Sequence, residues 1–188
     1  MPKIIKDVEA TIRNSAIELF VELSYINVDM RMIAKKSGVA VGTLYNYYEN
    51  KKQLYVSILN ESWQNTFIKL DTIHALTISS EVKLRQFITT LYEDIEARNG
   101  LGKDLINTSI VELKEDHEIN ALKANMLLSV ETFLNCFDKV DNFSNCGKTD
   151  IRLAESLLIT TLTMAEFHPK EKEENINFIV KFISLSMK

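Results

Sequence analysis

Apolar residues recur three and four positions apart along almost the whole chain, which is the spacing of one helix face. Ile12, Ala16, Leu19, Phe20 and Leu23 define a helix predicted over about residues 8–23. Two shorter helices are predicted over about 30–36 and 41–48. A long helix begins at Lys51, with Leu54, Tyr55, Ile58, Leu59, Ser62, Trp63 and Phe67 as its inner stripe. Ser79 or Ser80 starts the next, which turns Leu84, Phe87, Ile88, Leu91, Tyr92 and Ile95 inward. Gly100 and Gly102 break the chain before a short helix through Leu105, Ile106 and Ile110. Helices over about 116–140, 148–167 and 171–188 follow, with Pro169 separating the last two. No Gly or Pro lies between Thr43 and Asn99 or between Lys103 and Cys146, and no period-two pattern stands out. Long breaker-free stretches rich in Leu, Ile, Glu and Lys predict an all-α protein.

The segment from Val28 to Lys51 carries the sharpest chemical signal. Asp29 is a good N-cap, because its carboxylate can accept from the orphan N–H groups of a first helical turn. Ile33 and Ala34 make the inner face of that helix, leaving Arg31, Lys35 and Lys36 outside. Gly38 supplies the positive φ that a sharp helix-to-helix turn needs, and Val39 is expected to plug the turn. Two helices joined by a short Gly-containing turn are a helix-turn-helix, whose second helix enters the DNA major groove. That helix is rich in hydrogen-bonding groups: Thr43, Tyr45, Asn46, Tyr47 and Tyr48 surround the apolar anchor Leu44. Tyr and Thr hydroxyls suit phosphates, and Asn can pair with adenine. Lys51 and Lys52 open the next helix, where ammonium and free N–H groups can face a phosphate.

These residues resemble the tetracycline-repressor-like (TetR) transcriptional regulators. The resemblance rests on Ala16-Ile-Glu-Leu-Phe20, Ile33-Ala34, Gly38-Val39, Gly42-Thr-Leu-Tyr45, Tyr47-Tyr48, and Lys51 with Leu54, across roughly residues 9–55. Three positions depart from the family pattern. Ser24 stands where a Gly commonly ends the first helix, so a left-handed residue there costs about 1 kcal/mol. Ser37 replaces a common Ala without consequence. Ala40 replaces the Ser or Thr that usually caps the recognition helix, a loss of roughly 0.5–2 kcal/mol. The resemblance implies a three-helix DNA-binding head over residues 1–50 and a helical ligand-binding and dimerisation domain over 51–188.

Charge fits that division. The net charge of −4 argues against nucleic acid only until its distribution is read. Residues 1–55 hold 8 Lys/Arg against 6 Asp/Glu, and residues 56–188 hold 14 against 20. A modestly basic head on an acidic body confines DNA contact to the head. The absence of an apolar run of about 18 residues and of a signal-peptide pattern predicts a cytoplasmic protein. In the last two helices, Leu153, Leu157, Leu158, Ile159 and Leu162, then Ile176, Phe178, Ile179, Phe182 and Leu185, cover more than one face. Such helices need more partners than one monomer offers, so a homodimer through a four-helix bundle is expected.

The resemblance also implies a cavity in the second domain. Trp63, Phe67, Phe87, Tyr92, Ile106, Ser109, Met126 and Phe133 are its candidate lining, and their chemistry favours an apolar or aromatic effector. For any one of them, plain core is the better reading. His74, His117 and His168 lack metal-ligand spacing, Cys136 and Cys146 read as ordinary thiols, and no catalytic motif or cofactor fingerprint is present. The sequence therefore predicts a dimeric, effector-released repressor that binds operator DNA. Its expected contacts are Arg31, Lys35, Lys36, Val41, Thr43, Tyr45, Asn46, Tyr47 and Lys51. The long helix after Lys51 is expected to connect cavity and head. The alternative is a helical co-regulator that binds a partner protein without touching DNA.

Overall fold

A computed structural model describes residues 7–105, 110–144 and 147–188. The helices are α1 (Val8–Asn27), α2 (Met30–Ser37), α3 (Val41–Tyr47), α4 (Lys51–His74), α5 (Ser80–Ala97), α6 (Val111–Lys114), α7 (His117–Leu134), α8 (Asp141–Ser144), α9 (Thr149–Phe167) and α10 (Lys172–Ser184). A 3-10 turn occupies Lys103–Leu105. Among the described residues the only extended pairing is an isolated bridge between Lys139 and Met187. No helix of the described residues is long and apolar enough to cross a membrane.

The chain packs as two units. One holds Met1–Ser62 with Gly100–Asn120, and the other Trp63–Asn99 with Ala121–Lys188. This division differs from the expected one at residue 50. The reason is that Leu54, Tyr55, Ile58 and Leu59 of α4 are buried residues of the first unit, not the start of a separate domain.

In the first unit α1 packs on α2, and α2 on α3. Ile12, Ala16, Phe20, Ile33 and Leu44 are almost completely buried there. Phe20, Tyr25 and Tyr55 form an aromatic knot, with Tyr55 4.8 Å from Phe20 and 4.9 Å from Tyr25 between ring centroids. Burial, reinforced by the Glu112 carboxylate on α6, pushes the Tyr25 phenol up. Asp116 caps α7 by accepting from Glu118 N and Ile119 N, and Lys52 pairs with it at 2.9 Å. Burial alone would raise the Asp116 carboxyl; the Lys52 bond and the two N–H groups outweigh it and hold the carboxyl low.

Three details of α1 and α2 follow the expected chemistry. Asp29 accepts from Met32 N at 2.8 Å, and Gly38 sits at φ 70 with its N–H on Ala34 O and Lys35 O. Ser24 interrupts α1 at φ 65, ψ 160, a backbone region that glycine enters far more cheaply. Val39 is half-buried, so it closes the turn without being fully enclosed.

In the second unit α5 packs against both α9 and α10, which also pack together. Its buried residues include Leu84, Phe87, Leu91, Leu157, Ile176 and Ile179. Asn175, 5% exposed, donates to the Tyr92 hydroxyl and to His168 O, both at 2.9 Å. That one amide ties α5 to the α9–α10 corner. α7 ends at Leu134, earlier than the expected residue 140; the chain turns there, with Phe137 N on Leu134 O, and Lys139 Nζ satisfies Leu134 O and Phe137 O at 2.6 and 2.9 Å.

Candidate nucleic-acid interface and effector site

α3 is short, and its burial pattern sets which side chains can act. Leu44 is fully buried and holds the helix to α2. Tyr48, which follows α3 at 6% exposure, is anchored more strongly: its hydroxyl donates to Glu9 at 3.0 Å and accepts from Arg13 at 3.3 Å. Arg13 also donates to Ser57 at 3.0 Å and pairs with Glu61, so α1 braces the end of α3 and the start of α4. Sequence reasoning missed this brace; the available signal was an Arg beside Ile12 on an otherwise apolar helix face.

With Leu44 and Tyr48 fixed inward, Val41, Tyr45, Asn46 and Tyr47 are exposed and Thr43 is half-buried. Ala40 makes no side-chain cap bond, leaving the first N–H groups of α3 without one. Gly42 is informative in a different way. Its φ is not positive, and a Cβ there would meet no other atom within 4 Å. Among the described residues nothing requires glycine at that position.

The expected cations divide into two groups. Arg31 and Lys35 are exposed on α2. Lys36 is paired with Glu18 at 2.8 Å, a bond that holds its ammonium above the usual range. Lys51 donates to Tyr25 O at 2.8 Å and lies 4.2 Å above the Tyr25 ring. Lys36 is thus paired at the surface with α1, and Lys51 is engaged with Tyr25, where it ties α4 to α1.

The expected effector residues behave differently. Phe87 and Phe133 stack face to face at 3.6 Å, so they fill the space between them. Tyr92 is completely buried with its hydroxyl used by Asn175, and Met126 is 9% exposed. Trp63 is 3% exposed, and half-buried Phe67 lies 6.0 Å from it. Ile106 and Ser109 lie outside the described residues. A cleft of about 380 Å³ does open in this unit, lined by Glu131, Asn135, Lys139, Thr149 and Asp150 among others, and none of the expected residues lines it.

Sequence reasoning overlooked a polar cluster beside Trp63. The Arg98 guanidinium lies 4.0 Å over the indole and donates to the Thr66 hydroxyl. Thr66 in turn donates to Asp94 at 2.8 Å, which also takes Lys69 at 2.7 Å. Burial lowers Arg98 to about 10, against the opposing pull of Asp94. Asp94 and Arg98 are spaced i, i+4 next to the inward Ile95, which was the readable signal. Cys136, exposed, lies 3.8 Å from His74 Nε2. Among the described residues no group of three or more His, Cys, Asp or Glu could hold a metal ion.

Comparison with known proteins bears on both parts. Residues 12–58 match the family model of bacterial regulatory proteins, tetR family. The chain is 26% identical over 137 residues to YuxN, an uncharacterized HTH-type transcriptional regulator of Bacillus subtilis (strain 168), covering 71% of this chain and 47% of that protein. It spans less than half the length of the curated relatives it matches. The transcriptional regulator FadR from Bacillus subtilis, solved in complex with stearoyl-CoA, has the same fold at a TM-score of 0.72 and 19% identity, over 93% of this chain and 96% of its own. AibR, solved in complex with isovaleryl coenzyme A and operator DNA, gives a TM-score of 0.72 at 17% identity, over 96% of this chain and 100% of its own.

Proposed function

We propose, from the premise that the chain is a TetR-like regulator in its head and in its fold, that it works as a homodimeric repressor released from operator DNA by an acyl-coenzyme A thioester. The observation that carries the DNA reading is the outer face of α3. It presents Asn46, Tyr45 and Tyr47 to solvent, while Leu44, Tyr48 and Arg13 fix the helix from behind. An exposed polar face on a rigidly seated second helix is what major-groove entry requires.

In this reading Arg31 and Lys35 meet phosphates, joined by the hydroxyls of Thr43, Tyr45 and Tyr47. Lys36 and Lys51 contribute charge mainly through the field they add, since their ammonium groups have partners within the head. Val41, Thr43 and Asn46 stand nearest to base edges.

The effector class is supported by the likeness to two regulators solved with acyl-coenzyme A ligands. It agrees with the apolar, aromatic content of the second unit, which suits an acyl chain. Phe87 and Phe133 must then move apart to admit one, because they now touch. Dimerisation through α9 and α10 is supported by Ile159, Phe167, Phe178, Phe182 and Leu185, all large apolar residues 41–73% exposed. Phe178 and Phe182 lie parallel at 6.2 Å, one turn apart on α10. A dimer also brings two recognition helices to one duplex, about 34–36 Å apart on successive turns. α4, one helix from Lys51 to His74, is the element through which an effector changes that spacing.

The test is a mobility-shift titration with DNA from upstream of the protein's own gene, at two salt concentrations. Specific binding that falls steeply with salt is expected, as phosphate contacts release counterions. Weak binding that ignores both sequence and salt, there and on fragments from the rest of the genome, would overturn the reading. For the dimer, Phe182→Glu should shift sedimentation to the monomer; an unaffected dimer would remove α10 from the interface.

A further inference from the structure

α3 contains no charged side chain: its seven residues are Val41-Gly-Thr-Leu-Tyr-Asn-Tyr47. That narrows the base-edge chemistry open to it. Guanine is read at O6 and N7 by Arg or Lys, and cytosine at N4 by Asp or Glu. Adenine is read by Asn or Gln, and the thymine C5-methyl by apolar groups such as the Thr methyl. Hydroxyls pair with either kind of base, so the discriminating tools present on α3, an amide and apolar methyl groups, are those of the second set.

The burial pattern puts those tools on the correct side. Leu44 points inward, fully buried. On a helix turning about 100° per residue, the positions opposite it are Gly42 and Asn46, flanked by Thr43 and Tyr45. Asn46 is exposed there. Gly42 supplies an independent pointer, because neither a positive φ nor a crowded neighbour calls for it. Glycine weakens a helix relative to alanine, so a glycine the fold does not need leaves room for something outside the fold. Here that room lies on the outward face, directly beside Asn46.

We infer that α3 reads A·T base pairs. The Asn46 amide pairs with adenine N6 and N7, the methyl group of Thr43 lies against a thymine methyl, and Gly42 lets the groove edge approach the backbone. Arg31 and Lys35 meet phosphates, because the first helix of such a pair crosses the DNA backbone. This inference rests on the DNA-binding reading above, and its test separates the failure of either.

The full-length protein is used to select duplexes from a pool randomised over about two helical turns. The consensus should place A·T pairs at the positions that Asn46→Ala relaxes, with a loss of roughly 5- to 100-fold on that consensus. Replacing the consensus thymines by uracil, which deletes only the methyl, should weaken the wild type. The Thr43→Ser protein, which keeps the hydroxyl and lacks the methyl, should respond less. Gly42→Ala should melt no lower than wild type yet lose specific binding. A consensus with G·C pairs at the Asn46-dependent positions, or indifference to uracil, overturns the A·T reading and leaves DNA binding standing. A pool that yields no enriched sequence overturns the DNA-binding reading, and this inference with it.

Discussion

The head and the second unit treat their expected functional residues in opposite ways. On α3 the residues expected to act face solvent: Tyr45 is 49% exposed and Tyr47 44%. In the second unit the expected lining faces itself: Phe87 and Phe133 are each 1% exposed and stacked on one another. The outer face of α3 is therefore already open to solvent, with no side chain to be moved from it. Phe87 and Phe133 are closed core, so in the reading proposed above an effector has to separate side chains that now stabilise the fold. In that reading a ligand that binds the opened packing better than the closed one shifts the population toward it.

Four substitutions sharpen or break this contrast. The largest effect is expected from Phe133→Ala, about 3–5 kcal/mol of stability by urea denaturation, because a stacked and buried ring is lost. A loss below about 1 kcal/mol would mean that Phe133 borders open space, and the contrast would fail. Tyr47→Ala is the counterpart on the head. Stability should stay within about 0.5 kcal/mol of wild type, while DNA affinity falls about tenfold, or 1.4 kcal/mol. A destabilised head with unchanged affinity per folded molecule would make Tyr47 a packing residue.

Next in size is Ser24→Gly. Its positive φ and extended ψ store strain that glycine relieves, and the looser unfolded chain returns part of the gain. A net stabilisation of about 1 kcal/mol in thermal unfolding is expected; destabilisation would show that the Ser24 side chain carries more than its backbone costs. The smallest effect belongs to Asp116→Asn. The depressed Asp116 carboxyl contributes stability that is fully present above about pH 4 and is lost as the pH falls through its lower folded value. Asn keeps the cap of α7 and cannot titrate, so the acid limb of the stability curve should flatten. An unchanged limb would assign acid sensitivity elsewhere.

The same contrast explains what could be read from the chain alone. The head obeys local rules: Asp29 caps, Gly38 turns, Leu44 anchors and Ser24 sits where a glycine belongs, all within a few residues of their effects. Helix starts were legible for the same reason; ends were less so, since α1 runs to Asn27 past the expected 23 and α10 stops at Ser184 short of 188. Where α7 stops, Lys139 reaches back to Leu134 O, a contact that no periodicity announces. The brace of Arg13 on Tyr48 spans 35 residues and was equally hidden. So was the division of the chain, since segment 100–120 joins the first unit through tertiary contacts such as Lys52 with Asp116. A binding cavity is harder still, being a gap among residues from several helices. Helical spacing names Trp63, Phe87 and Phe133 as inward without saying whether space or another ring lies beyond.

The central claim is that a thioester ligand controls the head, and one titration tests it. A preformed complex of the protein with its selected duplex is challenged with acyl-coenzyme A of increasing chain length, with free coenzyme A and free fatty acid as controls, and anisotropy reports the bound DNA. The account predicts release by an acyl-coenzyme A and by neither control, with potency that depends on chain length. DNA affinity that stays constant at saturating concentrations of every acyl-coenzyme A would contradict it.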